Sequence, residues 1–227
     1  MKYIVLDLKF LKQLVQEGEG LKIEFKKKAA DPVKIMKEVV AFANNYGGYL
    51  IVGVADDGRI DGFTDIEGEK YVLEEAIKTR ISKKINYQIH IVQVSPIRQV
   101  IVFEIDPYHN KPVFLLYNLK RKVGKAYIRV ADKSVQMSKL IRRILKGRSR
   151  DIDYVFQYGE LERMVLKLLD ENDFITLNQL IKHGDLSEED ASDVLVNLCL
   201  SNILKEVPQD LEDRFKINPK SKLDWKF

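Results

Sequence analysis

Carboxylates close to a run of lysines are the first residues of this chain whose chemistry depends on where they are placed. Glu24 lies in LKIEFK (21–26) and opens onto Lys26, Lys27 and Lys28, while Asp56 and Asp57 directly follow the apolar run YLIVGV (49–54). If the two segments are neighbouring strands, their acids meet at one end of a sheet. Carboxylates that converge repel one another and need a cation or a bound proton. Each acid also has a plainer reading. Lys22 and Lys26 are ready ion-pair partners for Glu24, and Ala55-Asp56-Asp57-Gly58 is good turn chemistry.

A second chemistry is written in cations. Residues 120–150 hold Lys120, Arg121, Lys122, Lys125, Arg129, Lys133, Lys139, Arg142, Arg143, Lys146, Arg148 and Arg150 against one acid, Asp132, a net of +11. Residues 151–227 net −8 and residues 1–119 net +1, which gives the chain its overall +4. A run of Lys and Arg is often only a solvated face. This one is one-sided and spans a loop, a strand and a helix, as binding along a phosphate backbone requires. Tyr127 lies within it and could stack on a base or pack at the core edge.

The elements that position these groups follow from periodicity. Leu8, Leu11, Leu14 and Val15 stripe a helix over 8–16 that Gly18 and Gly20 end. Leu21 to Lys26 alternates, which predicts a strand with Leu21, Ile23 and Phe25 on one face and Glu24 on the polar one. Asp31-Pro32 opens a helix carrying Val33, Met36, Val40 and Ala43 inward. Gly47-Gly48 breaks it, and the uninterrupted YLIVGV predicts a strand covered on both faces. Asn44-Asn45 reads as the cap of that helix. Leu73, Ile77, Ile81 and Ile85 predict a helix from about Lys70. Strands are predicted at 87–94, 100–105, 112–116 and 126–130, with Pro96 and Pro107 at turns. A helix over Ser134–Leu145 and a linker at 147–151 close the first domain. Helices first and strands later, with one early crossover, predict an α+β fold with a mixed sheet.

The remainder reads as a second object, with helices at 160–169, 176–183 and 187–200 and then a hairpin, ILKEV-PQDLED-RFKIN. That order predicts a small winged-helix-like domain at about 155–220 after a first domain at 1–147. Its third helix is an unusual nucleic-acid reader. No Lys or Arg lies between His183 and Lys205, whereas Asp185, Glu188, Glu189, Asp190 and Asp193 do. A surface of that sign repels phosphate, so the domain is expected to serve dimerisation or protein contact instead.

Other classes drop out. The lone Cys199 sits in an apolar run, which excludes a disulfide framework. His90, His109 and His183 make no ligand or base–nucleophile spacing. No apolar run approaches the ~20 residues of a membrane span, and the charged N-terminus does not read as a signal peptide. The expectation is a soluble, cytoplasmic protein without a membrane partner.

The first ~145 residues resemble the Schlafen AlbA-like domain family. The matching pieces are Glu19-x4-Glu24-Phe25-Lys26, Ala41-Phe42-Ala43-Asn44 with Gly47-Gly48, Gly53-Val54, Asp57-Gly58, Lys111-Pro112-Val113 and Tyr127-Ile128-Arg129-Val130. The resemblance implies a compact α+β nucleic-acid-binding domain of the kind that prokaryotic regulators join to a winged helix. In the Schlafen branch it also implies a ribonuclease site of three carboxylates, which here would be Glu19, Glu24 and Asp56, with Asp57 an equal candidate for the third. Those acids could hold Mg²⁺ or Mn²⁺, since hard cations take oxygen ligands. Some members of the family are described as ATP-binding, but this chain has no P-loop pattern. The leading expectation is a regulator-like DNA or RNA binder acting through residues 120–150 with help from Lys26, Lys27 and Lys28. The alternative is a metal-dependent endoribonuclease.

Overall fold

The computed structural model describes residues 6–150, 154 and 158–221. The chain divides into two compact units, residues 1–135 and 136–227.

The first unit is built on a four-stranded sheet of order β1-β2-β4-β3, with β1 Ile23–Lys26, β2 Gly48–Val52, β3 Tyr87–Ser95 and β4 Arg98–Ile105. β1 and β2 are parallel, Glu24 opposite Leu50, and α2 (Pro32–Asn44) makes the crossover between them. The other two pairings are antiparallel, so the sheet is mixed as expected. At the outer edge β3 runs from Tyr87 opposite Ile105 to Ser95 opposite Arg98, with a shift of register between Gln93 and Ser95.

Both faces of the sheet are covered. α2 and α3 (Glu67–Arg80) bury Met36, Val39, Phe42, Leu73 and Ile77 against Leu50, Val52, Ile101 and Phe103. α1 (Leu8–Glu17) buries Leu11 and Leu14 against Ile23, Phe25, Ile51, Val100 and Val102 on the other face. Leu50, Ile51 and Val52 are therefore all fully buried, which is why β2 reads as an unbroken apolar run. Two glycines make its entry possible. A Cβ at Gly47 would lie 2.5 Å from the Ile105 carbonyl oxygen, and one at Gly48 would lie 2.5 Å from the Phe42 ring.

The caps follow local chemistry. Asp31 accepts from the Lys34 N–H at 3.1 Å with Pro32 at the first helical position. The four-residue stripe of α3 outlasts its helix. Ile81 and Ile85 are buried, yet the helix stops at Arg80 and Ile81 turns extended to bridge Leu115.

Two hairpins complete the unit: β5 (Leu115–Asn118) with β6 (Val123–Lys125), and β7 (Tyr127–Val130) with β8 (Lys133–Gln136). Here the sequence misleads. The helix expected from Ser134 is strand β8 followed by α4 (Lys139–Arg148), capped by Ser138, whose Oγ accepts from the Ile141 N–H at 3.1 Å. α4 also runs into the expected linker.

The second unit contains α4, α5 (Glu160–Glu171), β9 (Ile175–Thr176), α6 (Leu177–Gly184), α7 (Glu188–Leu200), β10 (Leu204–Val207) and β11 (Arg214–Ile217). Its sheet has the order β10-β11-β9. By packing, α4 belongs here and not with the first domain, since Gly147 fits directly against Leu200 of α7. Among the described residues no helix is long and apolar enough to cross a membrane.

Candidate nucleic-acid interface

Three of the four carboxylates, Glu19, Glu24 and Asp57, have partners within the protein. α1 ends at Gly18, φ 78°, and the chain turns through Glu19 and Gly20 into β1. There Glu19 Oε1 accepts the Phe25 N–H at 2.9 Å. Burial, then the charges of Glu24 and Asp56, push the Glu19 carboxyl above its ordinary range, while the Phe25 N–H works the other way. Asp56 and Asp57 are exposed in a turn closed by Gly58 N–H to Ala55 O at 2.9 Å, and Asp57 accepts the Arg59 N–H at 3.0 Å.

Glu24 is on the polar side of its strand, but that side faces α2 and is only 7% exposed. Its Oε1 pairs with Lys26, and its Oε2 accepts from Arg129 Nη1 at 2.9 Å. The same nitrogen meets Glu38 Oε2 at 2.8 Å and Ser134 Oγ at 3.3 Å, and Nη2 reaches the Gly20 carbonyl. Ser134 donates in turn to Glu38. One guanidinium thus ties together β1, the turn before it, α2 and the β7–β8 hairpin.

To ligate a metal, Glu24 would have to share oxygens already engaged by Lys26 and Arg129. Among the described residues no group of three or more His, Cys, Asp or Glu is placed to hold a metal ion. As they stand, Glu19, Glu24, Asp56 and Asp57 do not fit a Mg²⁺ or Mn²⁺ centre.

Arg129 is also the residue to strike from the basic surface. It is 3% exposed, because Tyr127 and Arg129 share the strand face that packs on α2, and its guanidinium lies 5.1 Å from the Phe42 ring centre. Tyr127 is buried as well. Lys26 is spent on Glu24, Lys27 stands 3.7 Å from Asp61, and Lys28 is exposed.

The remaining cations divide between the units. In the first, Lys120, Arg121 and Lys122 form the tip of the β5–β6 hairpin, Lys125 follows on β6, and Lys133 opens β8; all five are exposed. Asn118 Oδ1 holds the tip by accepting the Arg121 N–H at 2.9 Å, and Lys122 takes the left-handed conformation at φ 53°. Gly124 allows the strands to close, since a Cβ there would lie 2.4 Å from the Leu115 carbonyl oxygen. None of these five cations has an ion-pair partner among the described residues.

In the second unit Arg143 pairs with Asp193 of α7 and Arg148 with Glu206 of β10, while Lys139 stays exposed and Arg142 is partly covered. One ion pair thus joins the basic helix to the acidic third helix, and another joins it to β10. Residues 136–227 carry 15 basic and 17 acidic side chains, residues 1–135 carry 23 and 17. The positive excess lies in the first unit.

Two further residues complete the picture, neither of them marked as functional by the sequence. Asn44, which reads there as a cap, is fully buried: its Nδ2 donates to Val113 O at 2.9 Å and Tyr127 O at 3.0 Å, and its Oδ1 accepts the Val113 N–H at 2.7 Å. Lys37 of α2 stands 5.6 Å from the centre of the Tyr127 ring. The signal for Asn44 was present in Ala41-Phe42-Ala43-Asn44, since an amide that ends an otherwise apolar helix face must be satisfied across the core.

The family model described as Schlafen, AlbA_2 matches residues 19–138. Among solved structures, the DIP2311 protein from Corynebacterium diphtheriae is similar at 18% identity and a TM-score of 0.43, over 75% of this chain and 31% of that one. The N-terminal domain of a RecG-related protein from Nitrosomonas europaea is similar at 26% identity and a TM-score of 0.40, over 53% of this chain and 88% of that one. No curated protein matches significantly. The family match takes in β1 to β8 and covers more than half of the chain, and by it this protein belongs to the Schlafen AlbA_2 family.

Proposed function

We propose that this protein binds nucleic acid through the basic surface of its first unit, in a regulatory and not a hydrolytic role. The observation that carries this reading is the set of five exposed cations without ion-pair partners among the described residues, carried by two hairpins: Lys120, Arg121, Lys122, Lys125 and Lys133. Cations of this kind are free to exchange their counterions for phosphates, which is the source of sequence-independent affinity. Membership of the Schlafen AlbA_2 family supports the same reading.

The triple change Lys120→Glu, Arg121→Glu, Lys122→Glu tests it. Fluorescence anisotropy with labelled DNA and RNA should show affinity falling on the order of 100-fold for every sequence alike. The plot of log affinity against log salt should flatten by roughly 0.9 for each phosphate that is no longer neutralised. Unchanged affinity would remove the hairpin from the interface. Cleavage of a labelled tRNA that needs Mn²⁺ and stops with a chelator would establish the hydrolytic role instead.

The second unit is read as a winged-helix-like module for protein contact, including contact with a second copy of this chain. Its helix, short strand, two helices and hairpin support this, together with the acids Glu188, Glu189 and Asp190 in the first turn of α7. An open cleft of about 900 Å³ has walls of both signs, among them Lys139, Arg143, Glu188, Asp193 and Glu212. Sedimentation equilibrium of the full chain should show a reversible dimer, and a monomer at every concentration would end the self-association part.

A further inference from the structure

We propose that Tyr117 is a stacking platform for an unpaired base, so that the β5–β6 hairpin recognises single-stranded nucleic acid in preference to duplex. The inference rests on the nucleic-acid reading above and names the form of the ligand.

The hairpin pairs basic and apolar groups in a way solvent alone does not reward. Along this short stretch Tyr117, Leu119 and Val123 are 47%, 43% and 56% exposed, interleaved with Lys120, Arg121, Lys122 and Lys125. Cations meet phosphates, and exposed rings and aliphatic side chains meet the faces of bases.

Tyr117 is also held in place. Its hydroxyl hydrogen-bonds the hydroxyl of Tyr127, whose ring is packed into the main core between the sheet and α2. A two-stranded hairpin is marginal by itself, and this bond fastens the strand that carries the ring to a rigid element. A platform fixed beforehand loses little conformational entropy when a base settles on it.

Charge is arranged around the tyrosine pair. Lys125 Nζ stands 6.0 Å from the centre of the Tyr117 ring, and Lys37 Nζ 5.6 Å from that of Tyr127. The four side chains form a series, lysine, tyrosine, tyrosine, lysine, that leads from the exposed hairpin to the buried Tyr127 and on to α2. At the outer limit of cation–aromatic attraction, the Lys125 ammonium stays available to a phosphate next to a stacked base. A duplex keeps its base faces inside the stack, so an aromatic platform serves unpaired bases.

Two substitutions at one position test the platform, because both remove the hydroxyl and only one keeps the ring. Full-length protein carrying Tyr117→Phe or Tyr117→Leu is titrated by anisotropy against single-stranded DNA, single-stranded RNA and duplex DNA. Probes of about 20 units exceed the usual footprint of roughly 4–16 nucleotides. The original protein should bind both single strands more tightly than the duplex. The Phe variant should keep that preference, and the Leu variant should lose roughly 10-fold on single strands while its duplex affinity stays unchanged. Equal losses on all probes, or a Leu variant that binds single strands like the Phe variant, would overturn the platform and leave nucleic-acid binding standing. If the original protein bound no probe at low salt, both readings would fall.

Discussion

Arg129→Met should cost the first unit about 3–5 kcal/mol, the usual penalty for stripping one partner from a buried ion cluster. The Arg129 side chain is 0% exposed, and its loss leaves Glu38, at 14%, without a cation and Glu24, at 9%, with Lys26 alone. A domain of this size has only about 5–15 kcal/mol to lose, so the urea midpoint should fall steeply. Arg129→Lys should rescue little, since one ammonium cannot reach Glu24, Glu38 and the Gly20 carbonyl together. Adding Glu24→Gln and Glu38→Gln to Arg129→Met should recover most of the loss, because the uncompensated charges are then gone. If Arg129→Met moved the midpoint no more than a surface substitution, the cluster would not be what holds β1 to α2.

Asn44→Asp should be nearly as severe at neutral pH and should improve in acid. The amide nitrogen now donates to two carbonyls, and a carboxylate in its place would point negative oxygen at both. Burial raises the folded-state pKa of the introduced acid above its unfolded value of about 3.9. The folded variant therefore binds a proton that the unfolded chain releases, and its stability falls as pH rises through that interval. Below it, the protonated acid can donate one of the two missing bonds. Urea titrations at about pH 4 and pH 7 should show the gap to the original protein widening toward neutrality. Asn44→Ala should show no such trend beyond that of the original protein, while costing about 1–3 kcal/mol for each backbone group left unpaired. A pH-independent gap for the Asp variant would mean that the introduced side chain reaches solvent.

What the sequence revealed was local, and what it concealed was distant. Asp31-Pro32, the alternation through Ile23 and Phe25 and the run Leu50–Val52 each encode their own structure within a few residues, and each predicted element formed. Ser134 and Ser138 both precede the same apolar stripe, and both look like helix caps. Only packing decides between them, because the Ser134 hydroxyl is claimed by Glu38 across 96 residues of chain. Arg129 looks like any other surface cation for the same reason: in a segment of twelve cations nothing local marks the one whose partners are Glu24 and Glu38. The acids suffered a matching ambiguity. Glu24 on the polar face of a strand looks available, but β1 turns that face toward α2. Tyr127 lies inside the cationic block and Tyr117 just before it, and tertiary packing alone buries the first and leaves the second in solvent.

The break in register near the end of β3 bears on how this protein behaves in crowded solution. An outermost strand of nine residues offers an open row of amides and carbonyls, the template on which chains polymerise edge to edge. Ile91 of that strand is 43% exposed, and Ile97 in the turn that follows it is 70% exposed. The irregularity between Gln93 and Ser95 works against this, since a bulge twists a strand out of the plane a newcomer must match. Gln93 adds to the obstruction: its amide caps the Ser95 and Arg98 carbonyls and takes a bond from Gln99 at 2.9 Å. That corner of the sheet is thus poorly shaped to template a further strand on β3.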